Sequence, residues 1–162
     1  MAKFTHEVLR ERAFYRVAWV LSHFWEEQKD EIAPGGKASV HSRLFDTLVH
    51  EPLIVIGKSI NGGGRKEHLV PCVFIRDLAF KMYSDNKSID DVSKMISRLL
   101  RIAHITPEEA KILDVEKKLK TTMPVNWDID TGSIMARLDA GEIKLNLLVD
   151  PKSMNDDEKN KG

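Results

Sequence analysis

Arg65-Lys66-Glu67-His68-Leu69-Val70-Pro71 is the stretch on which the fold of this chain turns. It follows Gly62-Gly63-Gly64 and ends on a proline, which reads as a strand entered from a glycine turn and then stopped. Before it, Leu53-Ile54-Val55-Ile56 is a continuous apolar run rich in β-branched residues, and therefore a strand. The two are expected to pair as a small β-hairpin across the glycines, where positive φ is needed. Gly57-Lys58-Ser59 does not make this turn a nucleotide-binding loop. That pattern requires a glycine five residues before Gly57, and Pro52 stands there.

Outward from this centre the spacing is helical. Leu9, Phe14, Val17, Ala18, Leu21, Phe24 and Trp25 fall mostly at spacings of three and four, predicting a long helix over 6–31 with Thr5 as its cap. Pro34-Gly35-Gly36 ends it, and a second helix is expected over 38–50. Trp19 lies off the apolar stripe, so it needs another partner, and a homodimer is one expectation. Residues 73–83 and 89–100 return to helical spacing, the second opened by Ser88 and Asp91 as a capping box. Arg101 to Ile105 reads as a strand. Thr106-Pro107-Glu108-Glu109 is then a strong helix start, for a helix running to about Leu119. A short helix over 133–140 and a strand over 144–149 are expected, and the polar segment 151–162 is expected to be a disordered tail. The expected fold class is therefore α+β, mostly helical, with a small β-hairpin and a ββα-like unit, in a single domain over 1–150.

Composition narrows the function classes. The chain has 162 residues, with 25 Lys+Arg balanced by 25 Asp+Glu. This excludes a histone-like polycation, and zero net charge favours a protein partner over DNA. The charge is uneven: residues 57–120 hold 13 basic and 9 acidic side chains, and 121–162 hold 5 basic and 8 acidic. The single cysteine, Cys72, excludes an internal disulfide and any zinc site built from several thiolates of one chain. With no apolar stretch long enough to span a membrane, a cytoplasmic protein is expected. No G-x-S-x-G stands anywhere, which argues against an α/β-hydrolase.

Glu67-His68 is the pair with chemistry in it. A neutral imidazole can deprotonate a water that attacks a phosphodiester, and a divalent cation can stabilise the charge that develops. Glu67-His68-Leu69-Val70-Pro71 resembles the first motif of HNH (ββα-metal) nucleases, an acidic residue and a histidine followed by two aliphatics and a proline. Arg101–Ile105 and the helix from Thr106 would be the second strand and the helix of the ββα unit, with two helices inserted between. Met123-Pro124, Ala136-Arg137-Leu138 and Ala140-Gly141 resemble the segment that follows this unit, so the HNH-like part spans about 53–143.

The resemblance implies a metal-dependent DNA endonuclease. His68 would be the general base and Glu67 a ligand of Mg²⁺ or Mn²⁺, with Arg65, Lys66 and Arg101 on phosphates. The family's second ligand belongs near residue 110, where this chain has Ala110. His104 is the substitute taken here, with Glu108 and Glu109 as further ones. That departure supports a rival expectation: a catalytically inactive HNH-like protein that binds a nucleic acid or a protein as a regulator or inhibitor.

Overall fold

Thr5 opens the first helix as expected, its hydroxyl accepting the amide of Val8 at 3.2 Å. The computed structural model describes residues 3–32 and 40–148, so the expected tail over 151–162 and the first residues of the expected second helix lie outside it. The described part is α+β and mostly helical, with one four-stranded mixed sheet. It divides into two compact units, one from the described residues of Met1–Leu53 with Cys72–Ser97, the other from Ile54–Pro71 with those of Arg98–Gly162.

The first unit is helical. Of the stripe that the spacing picks out, helix α1 (His6–Ile32) buries Phe14, Val17, Ala18 and Leu21, with Ala13 beside them, and leaves Leu9, Phe24 and Trp25 half-buried. Helix α2 is only Leu44–Leu48 and is tied to α1 by Arg16, which donates to the Leu48 carbonyl at 2.8 and 3.1 Å. A single helical turn, Glu51–Leu53, follows where Pro52 permits no longer helix. Helix α3 (Cys72–Ser84) packs along α1, with Tyr83 donating its hydroxyl to the Ala18 carbonyl at 2.6 Å. Helix α4 (Ile89–Leu99) begins at the Ser88–Asp91 capping box, both of its hydrogen bonds being 3.1 Å. No helix among the described residues is long and apolar enough to cross a membrane.

The second unit carries the sheet. Strands β1 (Val55–Ser59), β2 (Arg65–His68), β3 (Ile102–Ile105) and β4 (Leu145–Leu147) lie in the order β2-β3-β1-β4. The expected hairpin is thus corrected: β3 stands between β1 and β2, and only an isolated bridge, Ser59 to Gly62, closes the glycine turn. The apolar run explains this. Ile54 and Ile56 are 2% and 0% exposed. A run buried to that degree belongs in the middle of a sheet, whereas an edge strand of a hairpin leaves one side to solvent. β1 accordingly pairs with β3 in parallel and with β4 antiparallel, and the charged β2 takes the edge.

β2 and β3 are antiparallel, and helix α5 (Pro107–Lys111) follows β3 directly. The Thr106 capping box forms as expected, but the helix does not continue regularly to residue 119. Ile112–Glu116 widens into a π-helical turn, and Lys118 takes φ +55°. The wider turn lets Leu113 and Leu119 both reach the interior, at 0% and 8% exposure. Helix α6 (Ala136–Ala140) completes the layer over one sheet face, where Ile56, Leu69, Ala103, Ile105, Ala110 and Leu138 form the core.

Candidate functional site

Register decides what the residues of the key stretch can reach. Glu67 lies opposite Ala103 and His68 opposite Ile102, while Arg65 faces Ile105 and Lys66 faces His104. Alternation then divides them between the two faces of the sheet. Arg65 and Glu67 share the α5–α6 face with Ala103 and Ile105. Lys66, His68 and His104 share the other.

Glu67 is held on the first face by a residue that the sequence reading used only as part of a resemblance. Arg137, at 0% exposure, donates from Nη2 to Glu67 Oε1 at 3.0 Å. Its Nη1 donates to the His68 carbonyl at 2.7 Å and its Nε to the Leu119 carbonyl at 2.8 Å. One guanidinium therefore spans the edge strand, its exit toward Leu69 and the loop after the π turn. Burial pushes the Glu67 carboxyl above the usual carboxylate range, and the neighbouring Arg137 opposes that shift without cancelling it. The available signal was an arginine set directly among the apolar residues Ile134, Met135, Ala136 and Leu138, with an internal carboxylate elsewhere to receive it.

The remaining candidates are dispersed. His68 is half-buried, with its Nε2 atom shut off from solvent. Ala110, at the position where a family ligand is expected, is 3% exposed and packed in the core. Glu109 is committed locally. Its Oε1 accepts the Thr106 amide at 2.9 Å and its Oε2 the Ser59 hydroxyl at 2.8 Å. Burial raises its carboxyl, but the Thr106 backbone and then the Ser59 hydroxyl outweigh it, and the group sits below the usual range. Glu108 is exposed. Arg101 is 4% exposed and donates to the Leu100 carbonyl at 2.7 Å, so it is turned inward. Arg65 is exposed on the strand.

A metal held by Glu67 and His104 does not fit this arrangement. The two side chains leave the sheet on opposite faces, and Glu67 is already engaged by a buried cation. Among the described residues, no three His, Cys, Asp or Glu side chains converge in a way that would hold a metal ion.

The arrangement does bring together a polar row that carries two lysines. Lys66 pairs with His104, His104 with Lys58, and Lys58 with Asn146, so these four residues cross the sheet side by side on one face. Lys144, two residues before Asn146, is exposed beside the end of that row, and its carbonyl accepts the Ile60 amide at 3.0 Å. The glycine turn lies against the row. A Cβ on Gly63 would stand 3.1 Å from Lys58 Cε and 3.6 Å from His104 Cβ. Gly62 and Gly64 supply the positive φ, +115° and +112°, that folds the turn back. Lys58 and Asn146 are exposed, and Lys66 and His104 half-buried. Comparison with protein-family models, curated proteins and solved structures finds no match for this chain.

Proposed function

We propose that this chain is a catalytically inactive HNH-like protein that binds nucleic acid through the Lys66–His104–Lys58–Asn146 face of its sheet, acting as a regulator or inhibitor. The observation that carries this reading is the engagement of Glu67 by the buried Arg137, which removes the one matched metal ligand from use. A carboxylate paired at 3.0 Å with a guanidinium of 1% side-chain exposure is a structural group. The opposite face offers what a phosphate backbone needs: three lysines and an imidazole, a glycine turn that lets backbone come close, and Asn146 as a neutral donor.

The test is fluorescence anisotropy with a labelled DNA duplex in EDTA, repeated over a range of salt. Binding is expected, with a logarithmic salt slope of about −3 if the three lysines each meet a phosphate. Replacing Lys58, Lys66 and Lys144 together by alanine is expected to abolish both the binding and the slope. Absence of binding at low salt by the folded wild type overturns the nucleic-acid reading and leaves a protein partner. The endonuclease is the second reading, supported by the succession of β2, antiparallel β3 and α5. Cleavage of plasmid DNA with Mn²⁺ that disappears in His68→Ala would establish it and overturn inactivity.

A further inference from the structure

Helix α1 has a second face that its own unit does not use. Arg12, Tyr15, Trp19, His23, Glu26 and Asp30 follow at intervals of three and four on the side opposite the buried stripe, and all six are exposed. Tyr15 and Trp19 are 45% and 48% exposed, and the Trp19 ring meets His23 edge-on at 4.2 Å. Arg12 is steered along the same side by the Phe4 ring, 4.5 Å from its guanidinium carbon.

The charges on α1 divide unevenly about Trp19, which lies midway along the 27 residues, and on the exposed face Arg12 and Glu26 stand seven residues to either side of it with opposite sign. Before it stand Arg10, Arg12 and Arg16 against Glu7 and Glu11. After it stand Glu26, Glu27, Asp30 and Glu31 against Lys29 alone. We infer that two copies of this chain pair through this face, their α1 helices antiparallel about a two-fold axis at Trp19. A two-fold pairing brings residue i of one copy to residue j of the other and j to i. Centred on Trp19, it sets Trp19 on Trp19, Tyr15 on His23, and Arg12 on Glu26, each of the last two occurring twice. A parallel pairing would instead stack Arg12 on Arg12 and Glu26 on Glu26, so the charge pattern selects the antiparallel one. The spacing of three and four is that of helices crossing at a shallow angle, with these side chains as the seam. The aromatics are few and the ends of the seam are charged, which is the composition of a weak, salt-sensitive dimer.

Sedimentation equilibrium of the full chain, from low micromolar to near-millimolar concentration, tests this. The wild type is expected to pass from monomer to dimer, and Trp19→Glu to remain monomeric with an unchanged circular dichroism spectrum. Arg12→Glu and Glu26→Arg should each weaken the dimer by about tenfold, because each turns two attractive contacts into two repulsive ones. The double exchange Arg12→Glu with Glu26→Arg should restore it, which also covers the case in which Trp19→Glu fails to fold. Trp19→Cys in a Cys72→Ser background should cross-link under mild oxidation, since both thiols sit on the axis. A monomer at every concentration overturns the pairing and leaves the face to a different protein. A dimer that ignores Trp19→Glu, or that the double exchange fails to restore, overturns the geometry.

Discussion

Replacing Arg137 by methionine should destabilise the fold by about 4 kcal/mol. The guanidinium donates to Glu67, to the His68 carbonyl and to the Leu119 carbonyl at 3.0, 2.7 and 2.8 Å, all from a side chain with 0% exposure. Hydrogen bonds from a charged donor contribute about 1.5–3 kcal/mol each, but these three share one group and do not simply add. Removing one member of a buried ion pair costs about 3–5 kcal/mol, because the other charge is left without compensation. Methionine keeps most of the volume of the stem, so little of the loss comes from a cavity. A loss of this size is a large fraction of the ~5–15 kcal/mol that holds a domain of this size together. In urea it should move the unfolding midpoint down by about 2 M. A second variant separates the charge from the hydrogen bonds. The Glu67 carboxyl lies above its ordinary range, so folding favours its neutral form, and Glu67→Gln, which keeps an oxygen to accept from Nη2 but leaves the guanidinium without its counter-charge, should cost less than Arg137→Met. In the Arg137→Met background the same Gln should regain about 1–2 kcal/mol, by removing a carboxylate left buried without its cation. A loss below about 1 kcal/mol for Arg137→Met would refute the hub, and a double variant no better than Arg137→Met would refute the account of Glu67.

Two further outcomes follow from the sheet and its first helix cap. Gly57→Ala would place a Cβ 2.6 Å from the Asn146 carbonyl oxygen and 3.2 Å from Leu147 Cα, so β4 must shift. A loss of about 1–3 kcal/mol is expected, with faster hydrogen exchange confined to the amides of β1 and β4, and unchanged exchange there would contradict the packing. Glu109 has a folded carboxyl below its unfolded value, so its stabilisation is fully present above the unfolded value, near pH 4.5, and is lost as pH falls through the folded one. Glu109→Gln should therefore flatten stability against pH in that acid window, as followed by urea melts, and Ser59→Ala should flatten it in part. A slope identical to that of the wild type would remove Glu109 from the account.

What could be read from the sequence divides by the range of the interaction. The Thr106-Pro107-Glu108-Glu109 box and the Ser88–Asp91 pair are decided within four residues, and both form as the local chemistry dictates. The buried stripe of α1 is likewise a property of its own spacing. Strand partnership is different. β1 pairs with a strand more than forty positions away, and nothing within Leu53–Ile56 names that strand. The hairpin expectation followed the nearest glycine turn, and it failed because closing a short loop is only one term against burying Ile54 and Ile56 inside the sheet. The composition of the strands nevertheless carries the sheet order. β1 is apolar enough for the interior, while β2, made of Arg65, Lys66, Glu67 and His68, is charged enough to stand at an edge without inviting another strand.

The same alternation bears on the candidate site. Two neighbours on a strand must part company, so Glu67 and His68 could not both aim at one ion without a bend, and β2 pairs with β3 in continuous register. What alternation could not supply was the occupant of each face, because Arg137 lies 70 residues beyond Glu67 and Lys58 reaches His104 only through the parallel pairing of β1 with β3. Once that register is known, the stretch acquires two distinct roles. Its carboxylate fastens the edge of the sheet from beneath, and Lys66 joins Lys58 and His104 on the other side. This parting supports the proposal of an inactive, phosphate-binding protein, because the backbone assigns the carboxylate and the imidazole of the stretch to different faces and leaves the lysines with the imidazole.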